Sequence, residues 1–131
     1  MIAEHVEGAD LLIRADPAKV AARLAEPDFT AQWAGGLHLE PYEDRGAEGR
    51  RHVVTGVLVG SCEWWVEALG PEAAVVHFWL RGRPTRDGDH LPVREGPGVL
   101  GALARRRGRL LVLERTRRWR RAMFRLRTDP P

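Results

Sequence analysis

The chain has 131 residues, a mass of 14.7 kDa and a formal net charge of +3, with 44% hydrophobic and 30% charged residues. That size suits one domain, residues 1–131, that can build a core without disulfide or metal staples. A globular composition excludes a wholly disordered chain, the lack of any run of about 18 apolar residues excludes a transmembrane helix, and a lone cysteine, Cys62, excludes an internal disulfide.

The start, Met1-Ile2-Ala3-Glu4-His5-Val6-Glu7, is acidic and has no apolar stretch of the kind a secretory signal needs. With the single thiol, this predicts a reducing, cytoplasmic setting. Residues 4–14 alternate loosely and end in Ala9-Asp10-Leu11-Leu12-Ile13-Arg14, a first strand. Asp16 is placed to cap a helix, and Pro17 suits its first turn. Val20, Ala21, Leu24 and Ala25 give that helix an apolar face, and Pro27 stops it. Asp28 opens a second short helix through Phe29, Gln32 and Trp33, which Gly35-Gly36 ends.

Leu37 to Tyr42 reads as a strand, and 43–49 as a turn. Arg51 to Val59 is rich in valine and threonine and predicts a strong strand, with a turn at Gly60-Ser61. Cys62 to Leu69 and Ala73 to Arg81 follow, joined by Gly70-Pro71-Glu72. The three make an antiparallel meander. Residues 82–98 are crowded with glycine and proline and read as a loop, with room for a short strand at His90 to Arg94. A long C-terminal helix is expected over 98–127. Ala104, Gly108, Leu111, Arg115, Trp119, Ala122 and Leu126 form its stripe, flanked by Val112 and Met123. Gly108 is its weak point, and Leu110 to Leu113 could pair as a strand instead.

Period-two alternation sorts the meander into faces. Val54, Gly56, Leu58, Cys62, Trp64, Val66, Ala74, Val76, Phe78 and Leu80 share an apolar face, the core side. Arg51, Thr55, Ser61, Glu63, Glu67, His77 and Arg81 share the other with Trp65 and Trp79. The turn at 70–72 sets Trp64 opposite Phe78 and Trp65 opposite His77. The helix stripe must cover the apolar face. A curved sheet gripping one long helix leaves a gap lined by Trp64, Phe78, Trp119 and Met123. Arg115, the charged member of the stripe, either snorkels to the rim, pairs with a loop acid or meets a polar group of a ligand.

The order is strand, two short helices, meander, long helix. It resembles the START-like helix-grip superfamily, in its polyketide cyclase/dehydrase-type branch. Ala15-Asp16-Pro17-Ala18-Lys19-Val20 looks like that family's entry to its first helix. Pro27-Asp28-Phe29 through Trp33 looks like its second helix, and Arg118-Trp119-Arg120-Arg121-Ala122-Met123-Phe124 like the end of its last. The resemblance implies an α+β helix-grip fold, with a curved antiparallel sheet of five or more strands around the C-terminal helix. The family's sheet has more strands than are legible here, and 82–98 stands where the others are expected. The resemblance further implies a small hydrophobic ligand held between sheet and helix. The candidate contacts are Trp33, Val54, Leu58, Trp64, Phe78, Arg115, Trp119 and Met123. Fold membership does not imply catalysis. A cyclase or dehydratase would need an acid or base in the pocket, for which Arg115 and His38 are the candidates.

Other motifs carry less. Gly96-Pro97-Gly98-Val99-Leu100-Gly101 matches a dinucleotide-binding pattern in letters, but lacks the preceding buried strand and reads as a loop and helix start. His5, His38, His52, His77 and His90 show no paired spacing, so neither a metal nor a cofactor is expected. Cys62 reads as a small core residue with no inner-face histidine beside it. Charge is divided: residues 1–100 carry −6 and residues 101–131 carry +9. The basic tail suggests nucleic acid or another acidic partner. A set of 20 arginines to 1 lysine, however, looks like GC-rich coding bias and weakens that suggestion. Trp65 and Trp79 on the outer face are candidates for a homodimer contact.

Overall fold

The computed structural model describes residues 5–86, 88, 91–93 and 96–131. The first strand, β1 (His5–Ile13), leads through Asp16 into α1 (Pro17–Leu24). The Asp16 carboxylate accepts from the Ala18 N–H at 2.9 Å, as the sequence predicts. Pro27 opens α2 (Pro27–Ala31). The Gly35-Gly36 turn then delivers the chain to β2 (Leu37–Asp44). A single 3-10 turn, Gly46–Glu48, precedes β3 (Gly49–Gly56), β4 (Leu58–Ala68) and β5 (Ala74–Pro84). The chain ends in α3 (Gly98–Thr128), one unbroken helix through Gly108, so the alternative strand at Leu110–Leu113 does not form.

All pairings are antiparallel, in the order β1-β5-β4-β3-β2. Trp64 stands opposite Phe78 and Trp65 opposite His77, in the register that the three-residue turn dictates. The apolar face is buried as its alternation requires, and α3 lies across it with its stripe inward. Val20, Ala21 and Leu24 of α1 and Phe29 of α2 close the same core from the other end. Two outer strands bound the sheet, and on β2 the register shifts between Pro41 and Glu43.

One turn lies elsewhere than the sequence suggests. The β3–β4 connection is at Gly56-Val57, not at Gly60-Ser61. Gly56 adopts φ +102, which an L side chain resists, and the Val57 N–H bonds the Gly36 carbonyl at 3.0 Å. Gly60 instead sits within β4, between Val54 of β3 and Gly82 of β5. A Cβ there would overlap the Arg81 carbonyl oxygen and lie 2.7 Å from the Gly82 Cα. Its missing side chain therefore serves close backbone approach and not a turn.

Beyond β5, Thr85 bridges to Pro92, and the Val93 N–H bonds the Pro84 carbonyl at 2.9 Å. Residues 84–86 and 91–93 thus lie side by side as a strap beside α3. Of the strand expected at His90 to Arg94, both ends lie outside the described residues.

Candidate functional site

The eight residues singled out from the sequence gather on the inner side of the sheet. The Phe78 ring is stacked on Trp119 at 4.6 Å and 13°, and met edge-on by Trp33 at 5.2 Å and 80°. Trp64, Val54, Leu58 and Met123 complete the cluster, all buried. These side chains line the space between sheet and helix. Trp119 is 1% exposed, and its indole N–H has no acceptor among the described residues. A buried donor left without a partner costs about 1–3 kcal/mol.

Arg115 is buried against the turn after α2. Its Nε–H donates to the Gly35 carbonyl at 2.8 Å, and Nη1 lies 3.4 Å from Glu114 Oε1. Burial, followed by the neighbouring Arg118, lowers its pKa. Its partners are thus a loop carbonyl and the adjacent acid on its own helix. His38 falls on the opposite side from the expected pocket. It pairs with Thr55 and is exposed, because β2 turns Leu37 and Leu39 inward and every second residue outward. It is therefore not an inner-face acid or base.

The inner face does hold a histidine beside Cys62, contrary to the sequence reading. With the turn at Gly56-Val57, His52 comes directly opposite Cys62, and His52 Nδ1 lies 3.7 Å from the sulfur. The parity was there to see, since His52 stands two residues from Val54. The misplaced turn hid the pairing. Burial pushes the Cys62 thiol up to about 12, and burial together with Arg50 holds the His52 pKa low. The pair is a neutral thiol against a neutral imidazole, without the thiolate that nucleophilic chemistry needs.

The outer face is a carpet of ion pairs over two half-buried tryptophans. The Arg81 guanidinium lies over Trp79 at 5.3 Å, and its Nε–H donates to Ser61 Oγ at 2.9 Å. Arg51 and Arg45 both pair with the buried Glu63 carboxylate. His77 stacks on Trp65 at 4.7 Å, with Nδ1 2.6 Å from Asp10 and Nε2 2.9 Å from Glu67. Burial works against its charge, but the Glu67 and Asp10 hydrogen bonds and charges outweigh it and raise its pKa above the ordinary value. A histidine pKa raised by folding contributes stability that is full below the unfolded value of about 6.5. That contribution is lost as pH rises through the folded value. Thermal melts of the native chain and His77→Gln should therefore differ most below about pH 6.5 and converge on the alkaline side. A gap that widened with pH would refute the pairing of His77 with Asp10 and Glu67.

A cavity of about 670 Å³ lies at the other end of α3. The strap supplies Pro84, Arg86, Leu91, Pro92 and Val93. The helix supplies Leu100, Leu103, Ala104 and Arg107, one face at helical spacing. Leu91 is 64% exposed, Leu100 83% and Leu103 55%, so the walls are apolar surface left in water. None of the eight sequence candidates lines it. Its strap lies in the segment 82–98, read from sequence as a loop with room for a short strand at His90 to Arg94, and no local periodicity marks residues that meet across a fold. The glycine motif sits near this helix end as packing. A Cβ on Gly101 would overlap the Gly96 carbonyl oxygen, to which Arg105 Nη1 also donates at 3.1 Å.

No family model matches the chain, and no curated protein matches it in sequence. Solved structures do match in fold. A START superfamily protein from Mycobacterium smegmatis superposes with a TM-score of 0.55 at 13% identity, over 97% of this chain and 99% of that one. The Zhui aromatase/cyclase from a Streptomyces species gives 0.59 at 13% identity, over 98% and 99%. The fold is thus the START-like helix grip that the short motifs resemble. No helix among the described residues is long and apolar enough to cross a membrane.

Proposed function

We propose that this START-like domain binds a small hydrophobic molecule in the cavity between the strap of residues 84–86 and 91–93 and the first turns of α3. The observation that carries the reading is the cavity itself. Its volume of about 670 Å³ falls within the range of small-molecule sites, and its walls leave Leu91, Leu100 and Leu103 open to water. Covering a large aliphatic side chain is favourable by roughly 1.5–3 kcal/mol. A ligand covering these three would draw on that term without moving the core.

In this reading Trp33, Val54, Leu58, Trp64, Phe78 and Met123 form the packed base that fixes α3 over the sheet. Arg115 locks the helix to the turn after α2. The open aliphatic walls of the cavity favour binding of an apolar molecule.

Titration with the neutral fluorophore phenylnaphthylamine tests the proposal. Saturable binding is expected, weakened at least about tenfold by Leu103→Glu, which sets a charge in the wall. Leu110→Glu lies on the same helix, exposed and outside the cavity, and should leave binding unchanged. Absence of binding, or equal effects of the two substitutions, would overturn it.

A further inference from the structure

The cavity pairs an apolar interior with two cations. Arg86 comes from the strap and Arg107 from α3, so guanidinium groups stand on both walls. Both residues are exposed. Neither has an ion-pair partner among the described residues. Most arginines whose contacts are described are placed otherwise: Arg23 pairs with Asp28, Arg51 with Glu63, and Arg118 with Glu114. No acidic residue is among the described lining. The remaining lining, Leu91, Leu100 and Leu103 among it, is aliphatic or proline.

The geometry points to an amphiphile with an anionic head as the ligand class. Its hydrocarbon body covers Leu91, Leu100 and Leu103, and a carboxylate or phosphate accepts hydrogen bonds from Arg86 and Arg107. This rests on the ligand-binding reading above and narrows it. A guanidinium binds both heads because its planar fork matches two oxygens of either. A neutral molecule of the same length would keep the apolar contact and lose the head-group contact. Because the arginines meet solvent, the preference for the anion must weaken with salt.

The test is displacement of bound phenylnaphthylamine by decanol, decanoate and decyl phosphate. Decanoate or decyl phosphate should compete about tenfold better than decanol at low salt, and the stronger of the two names the head group. The margin should shrink at high salt, and vanish in an Arg86→Gln, Arg107→Gln variant whose melting curve matches the parent. Equal competition by all three would overturn the anionic head while leaving hydrophobic binding intact. A margin that survives in the double variant would overturn the role of these arginines. Failure of all three to displace a bound probe would also overturn the inference. Failure of the probe itself to bind would instead overturn the underlying reading.

Discussion

Trp119→Ala is expected to destabilise the domain by about 3–5 kcal/mol, read as a lowered urea midpoint. The ring is almost fully buried and is stacked on Phe78, which Trp33 meets from the side. Truncation would leave a void between α3 and β5, and Phe78 would lose a face of contact. The surrounding residues come from a sheet and a 31-residue helix, so the site cannot collapse to fill the gap. Trp119→Phe separates the ring from its N–H. It keeps the stack and removes the donor that has no acceptor. Its expected cost is about 1 kcal/mol or less, since lost area and relief of the unpaired group oppose each other. Equal costs for the two variants would show that the Phe78 stack is not what anchors the helix.

Gly60→Ala is expected to cost about 3 kcal/mol, a large effect for one methyl group. The new carbon would meet backbone of the adjoining strand, the Arg81 carbonyl and the Gly82 Cα. No rotamer change can move either. The strands must part, and the β4–β5 ladder must give at a central position of the sheet. Gly46→Ala is the control. It sits at φ +60 with nothing near the new methyl group, so only the backbone conformation is penalised, by about 1–2 kcal/mol. If Gly60→Ala were no worse than Gly46→Ala, close approach would not be the reason for glycine at 60.

These two positions show how much the sequence disclosed. The burial of Trp119 and the Trp64–Phe78 pairing were legible because both follow from local arithmetic. Helical spacing places Trp119 on a stripe, and a turn of known length sets the β4–β5 register. Gly60 was misread because glycine serves two purposes that look alike in a sequence. Gly56 and Gly60 both fit a turn, and only tertiary contact separates the one at φ +102 from the one that lets strands close up. The error propagated to His52, whose pairing with Cys62 depends on where the hairpin bends. The cavity was not legible for a different reason. Pro84 and Leu91 belong to one segment and Leu103 to another, and nothing in their spacing tells which segment folds back on α3.

The break in register on β2 bears on how copies of this protein behave when crowded. An outer strand is a template on which another chain can polymerise, because its unpaired N–H and carbonyl groups await a ladder. Pro41 has no N–H to offer, and the pairing shifts between it and Glu43. Glu40 adds a charge along the same flank, while Glu43 pairs with Arg45 and Arg51 and Asp44 with Arg50. A second copy approaching along β2 would therefore meet an interrupted ladder. A single imino acid and its bent surroundings thus disfavour edge-to-edge addition of strands on that flank.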